Sequence, residues 1–190
     1  AAFHFEGTSF IVRGTDWETS AGTYEIDSPA TFIAGLGDAC AVDNSTNNPD
    51  WQFNAAVSVS ESITEFTWTA GTGDTIFGGT SGSHAIDLDQ QTFGNVIFDC
   101  EGATKTLSDN FSAAQVIARA GTIDYNEKTI TTTGDHRILP SASVDLENAT
   151  LIVGDECLIL GDEGDPIVIT GATITATGDN AAIWATVTSS

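Results

Sequence analysis

One eight-residue phrase is written four times along this chain, and no other feature restricts its folding as tightly. The copies are 86–93 (IDLDQQTF), 123–130 (IDYNEKTI), 144–151 (VDLENATL) and 167–174 (IVITGATI). Their threonines, Thr92, Thr129, Thr150 and Thr173, are 37, 21 and 23 residues apart, and a weaker copy places Thr67 25 residues before Thr92. Self-similarity at a period of about 20–25 residues belongs to solenoids whose coils stack on one another. Each copy begins with alternation. Ile86 and Leu88, Ile123 and Tyr125, Val144 and Leu146, and Ile167 and Ile169 face one way; Asp87, Asp124 and Asp145 face the other. A period of two means strand.

A second strand follows each threonine and closes at Gly134-Asp135, Gly154-Asp155 and Gly178-Asp179. Gly-Asp is turn chemistry, because glycine supplies positive φ and aspartate bonds its own backbone. A third short apolar run (RIL, CLIL, AAIW) completes each coil. The expected fold is all-β: a short parallel β-helix, or β-solenoid, in the C-terminal half, with Ile123, Val144 and Ile167 in one interior ladder. An antiparallel sandwich is the competing arrangement, since short strands with frequent turns suit it too.

Two stretches depart from the repeat. The 37-residue interval exceeds the others by about 14 residues, and 108–120 has the length of that excess. Its Asp/Asn start and Ala-rich body predict a short helix bulging from the coil; a strand through 115–118 is the alternative. Residues 1–58 show strand-like segments and a polar loop at 43–50. They are expected to form a β-rich arm, cap or small domain on a solenoid domain at 59–190, because an open coil presents unpaired edges.

Charge bounds the partners. Asp and Glu number 27 against five Lys and Arg, for a net charge of −22. Nucleic-acid binding needs clustered cations to displace counterions, and five scattered ones cannot supply it. An anionic membrane surface is disfavoured for the same reason. No run of 18 apolar residues is long enough for a spanning helix. Three widely spaced cysteines, Cys40, Cys100 and Cys157, fit buried thiols; a Cys40–Cys100 bridge is the alternative.

No catalytic motif is present. His84 lies in SGSHAID beside Ser83 and Asp87, but triads are not contiguous in sequence, and no nucleophile elbow exists. The chain is therefore expected not to be an enzyme. Acidic residues offer the one candidate ligand set. If Asp124 and Asp145 stack with Asp87 on successive coils, about 4.8 Å apart, each pair repels by about 1 kcal/mol even in water. Such a stack would recruit a cation, with Ca²⁺ the candidate, or tolerate high salt with no cofactor. Asp162 and Asp165, in the GDEGD turn at 161–165, could bind the same ion through carboxylate oxygens. The outward position occupied by these aspartates holds Val168 in the last copy, and Ile152 also falls on the outward phase of its strand. Exposed apolar residues on so acidic a chain mark a contact, expected to be a homotrimer packed through the C-terminal coils.

The coil pattern of 86–187 resembles the right-handed parallel β-helices of pectate lyases, phage tailspikes and other virion proteins. The resemblance is one of architecture and carries no family motif residue by residue. It implies a structural virion protein, a homotrimeric capsid decoration (cement) or spike component on the virion surface, gripping a capsid shell or scaffold protein. Two alternatives accompany it. One is an extracellular adhesin or filament subunit, assembled by donating a strand from residues 3–13. The other is a carbohydrate-active β-helical enzyme.

Overall fold

The computed structural model describes residues 2–7, 9–13, 17–33, 39–59, 65–87, 89–161, 166–178 and 182–187. Among them there is no helix; the strands pair in parallel throughout and build a three-sided β-solenoid. The first face stacks Ala2–Phe5, Thr23–Ile26, Asp50–Phe53, Asp74–Phe77, the 95–98 part of Thr92–Leu107, the 115–118 part of Phe111–Asp124, His136–Ile138, Glu156–Gly161 and Ala182–Val187. The second face stacks Phe10–Arg13, Ala30–Ile33, Val57–Val59, Ser83–Ile86, residues 104–107, residues 122–124, Ala142–Asp145 and Ile167–Val168. The third face carries Thr129–Thr132, Thr150–Val153 and Thr173–Ala176 below the start of Phe111–Asp124. Above it, Trp17–Glu18, Ala39–Asp43 and Glu65–Thr69 form a separate three-stranded sheet. A side chain joins the two sheets: Gln91 accepts from the Trp68 backbone N–H at 2.9 Å and donates to the Phe66 carbonyl at 3.0 Å.

The parallel pairing answers the sandwich alternative, and the interior ladder is as the repeats dictate. Ile123 pairs with Val144 and Val144 with Ile167. The core is a set of such columns. One runs Ile26, Phe53, Phe77, Phe98, Ala118, Ile138, Ile159, aromatic over three consecutive turns and aliphatic toward the C-terminus. Beside it Tyr24 stacks on Trp51 with centroids 4.7 Å apart. Stacking like on like lets each turn bury its inward side chains against the next, at about 25 cal/mol for each Å² of apolar surface removed from water.

The ladder also runs through the N-terminal part. Asp50–Phe53 pairs with Asp74–Phe77, and Val57–Val59 with Ser83–Ile86, so the expected division at 58/59 falls inside continuous pairing. Residues 3–13, the segment a strand-donating adhesin would give away, pair within their own chain through Ala2–Phe5 and Phe10–Arg13.

The helix expected at 108–120 is not formed; Phe111–Asp124 is a strand. The long interval is not a bulge but an additional turn, because Thr92 pairs with Ser112 and Ser112 with Thr131. The Ala-rich body is explained by position. Ala113 and Ala118 point into the core, where small residues fit beneath Phe93 and Phe98. Tertiary burial outweighs the weak helix preference of a short segment.

The repeated aspartate is a corner residue. Asp124 Oδ1 accepts from the Asn126 N–H at 2.7 Å, and Asp145 Oδ1 from the Glu147 N–H at 2.8 Å. The residues that follow turn through the left-handed region: Asn126 and Glu127, Asn148, and in the first copy Asp89 and Gln90. Aspartate stabilises such a corner by bonding the backbone two residues on, and asparagine tolerates positive φ. In the fourth copy the left-handed position is Gly171 at φ 71°, where a Cβ would lie 2.3 Å from Asn148 Oδ1 on the turn above.

Candidate functional site

The corner between the first and second faces opens into a cleft of about 650 Å³. Four consecutive turns build it. Glu25 and Asp27 come from one, Gln52, Asn54 and Ala55 from the next, Thr80, Ser81 and His84 from the third, and Asp99 and Glu101 from the fourth. Three of the four turns leave the first face through a polar residue, Asp27, Asn54 and Asp99, and the third passes through Gly78 and Gly79 to Thr80; parallel stacking brings these positions together. The amides brace the acids: Gln52 Nε2 donates to Asn54 Oδ1 at 3.0 Å, and Asn54 Nδ2 donates to Asp27 Oδ1. Arg119 pairs with Asp99 at 3.1 Å.

His4 closes one end. Its Nδ1 lies 2.8 Å from Glu25 and its Nε2 2.9 Å from Glu6 and 3.3 Å from Asp27. Hydrogen bonds to Glu6 and then Glu25 raise its pKa, so the imidazolium is the form these acids favour. His4, Glu25 and Asp27 are the one group among the described residues with ligand atoms close enough to share an ion. Beneath the cleft lies a cation. Lys105 is fully buried, between His84 and Ile123 in an interior column, and its Nζ donates to the Ala55 carbonyl at 3.4 Å. Burial pulls its pKa down to about 8.

A second buried polar group sits lower in the core. The Tyr125 hydroxyl meets His136 Nε2 at 2.9 Å, and both residues are fully buried. His136 Nδ1 has no partner among the described residues, and burial lowers its pKa to about 4. Cys157 pairs below His136, and burial raises its thiol to about 11. All three cysteines are buried thiols, and no Cys40–Cys100 bridge forms.

The sequence-derived acid stack is only partly assembled. Asp124 and Asp145 stand side by side, with one oxygen of each taken by its corner. Asp87 is not in their column, which instead continues upward through Thr106 and Ala85. It faces Asp109, and burial followed by a hydrogen bond to that carboxyl raises its pKa to about 6. Asp162 and Asp165 lie outside the described residues. Val168 follows Asp145 in the outward column and is 38% exposed. Ile152 is half-buried on the third face between Thr131 and Thr175.

Sequence reading missed the cleft because part of it, Asp27, Asn54, Thr80 and Ser81, lies on corners that no periodicity marks, and the strand residues that join it come from N-terminal turns whose register the repeats do not reveal. Once the register is known, the signal is present: Glu25, Gln52 and His4 share one outward column.

No family model, no curated protein and no solved structure matches this chain.

Proposed function

We propose that the protein is a homotrimeric structural subunit of a surface assembly, of the kind formed by capsid decoration and spike proteins, displayed on a virion or, alternatively, a cell surface. The observation that carries this reading is the apolar surface at the C-terminal end. Trp184 is 60% exposed and stands directly below Leu158 on the outward side of the first face. Val168 and Ile169 are exposed on the last turn of the second face. Copies with a net charge of −22 repel at long range, so a stable contact between them must be apolar at its centre. In this reading the acidic N-terminal turns remain free to meet a shell or scaffold protein.

Light scattering at micromolar protein in high salt should give a trimer. Trp184→Asp and Val168→Asp should each convert it to monomer without loss of the β-sheet circular dichroism signal. A monomeric wild type, or a trimer that survives both substitutions, contradicts the reading.

The cleft favours one second reading, a carbohydrate-active enzyme, because carboxylates and amides facing one groove suit sugar hydroxyls. Product release from a polysaccharide that Glu25→Gln abolishes would establish it.

A further inference from the structure

The outward side of the third face is out of character with the rest of the chain. Thr129, Thr150 and Thr173 pair in one row. Thr131, Ile152 and Thr175 pair in the next, which Ser112 and then Thr92 extend upward. Successive turns are about 4.8 Å apart and alternate residues along a strand about 6.6 Å apart, so hydroxyls and methyls repeat in two dimensions. The chain has 27 acidic residues, yet the outward positions of these strands carry none, and no base either. Charges resume at the corners, with Lys128 on one side and Asp135 and Asp155 on the other. The six threonine hydroxyls in the two rows make no hydrogen bond among the described residues, whereas inward-facing Thr132 donates to the Gly134 carbonyl at 2.9 Å.

We propose that this face binds ice. A two-dimensional array is used in full only by a ligand that is itself periodic; a small molecule would engage one or two positions. Three kinds of periodic surface are available. An ionic mineral needs charged side chains opposite its ions, and the face has none. A crystalline polysaccharide is gripped by flat aromatic side chains, and these two rows hold no aromatic residue. A lattice of water needs uncharged hydroxyls at regular intervals to anchor it and methyl groups between them to exclude disordered water. The threonine rows supply both. The trimer contact proposed above lies on the other two faces, so the two readings stand or fall separately.

The test is ice-crystal growth in a solution of the purified protein, followed as crystal shape and freezing-point depression. The wild type should facet ice crystals and hold the freezing point below the melting point. Thr131→Lys/Thr175→Lys should grow ice as plain buffer does, with its melting temperature and oligomeric state unchanged. Thr106→Lys, on the outward side of the second face, should behave as wild type. If the double variant fails to fold, Thr175→Lys alone, at an exposed position on the last turn, takes its place. Unshaped crystals with the wild type overturn the proposal, as does shaping retained by the row variants. Binding to crystalline cellulose or chitin without any effect on ice overturns it as well.

Discussion

Acidification from pH 6.5 to 4 should remove about 3 kcal/mol of stability through His136 alone. The imidazole is buried, and burial lowers its pKa from 6.5 to about 4, a difference worth about 3 kcal/mol at 1.36 kcal/mol per pH unit. The sign follows from proton counts. Between those two values the unfolded chain holds a proton on this histidine and the folded chain does not. Stability therefore rises with pH across that window: it is fully present above 6.5 and lost as pH falls toward 4. A competing term acts in the same range, because protonating some of the 27 acids relieves their mutual repulsion. Asp87, raised to about 6, also works against His136, since its folded form holds the proton that the unfolded form releases. The double variant Tyr125→Phe/His136→Leu isolates the histidine. It replaces both partners of the Tyr125–His136 bond with apolar groups, leaving neither hydroxyl nor ring nitrogen stranded. Urea unfolding at pH 7, 5.5 and 4.5 should show wild type losing stability relative to the variant as pH falls. Parallel curves would show that His136 is not the group responsible.

Lys105→Met should stabilise the fold by about 2 kcal/mol at pH 7, an unusual direction for a core substitution. The ammonium is fully buried and, among the described residues, has one long hydrogen bond, to Ala55, and no carboxylate partner. Its pKa falls from 10.5 to about 8, so at neutral pH the folded state carries a charge that water would hold far better. Methionine keeps the apolar stem between His84 and Ile123 and discards the charge. Here too the linkage gives a second readout. The folded lysine releases its proton before the unfolded one, so the penalty is full below pH 8 and fades as pH rises through 10.5. Wild type should gain on the variant across that range. A variant less stable than wild type at pH 7 would mean that Lys105 holds the corner at Ala55 more strongly than its geometry indicates.

How much of this was legible in the sequence follows from where periodicity acts. The ladder Ile123–Val144–Ile167 and the threonine row Thr129–Thr150–Thr173 can be read directly, because consecutive turns of nearly equal length keep both strands and corner in phase. Alignment on Thr92 failed by two residues. Thr92 shares its row with Thr131, not Thr129, and an unmarked turn at 111–124 lies between them. The corner that leads onto its third-face strand, at 107–110, lacks the repeated phrase, so nothing in the sequence announces it as a repeat. The N-terminal turns were hidden for a related reason. Their corners vary in length, and their inward positions hold Phe32, Trp51, Phe53 and Trp68 in place of aliphatic residues. Lys105 and His136 were invisible because a strand pattern shows which way a side chain points but not what meets it there.

The continuous parallel ladder carries every other conclusion, and methyl NMR tests it most directly. With isoleucine and valine methyls labelled, the account predicts cross-peaks from Ile123 to Val144 and from Val144 to Ile167, and backbone contacts in parallel register between Asp50–Phe53 and Asp74–Phe77. Close Hα–Hα contacts between directly opposed residues, the mark of antiparallel pairing, together with no Ile123–Val144 cross-peak, would contradict it.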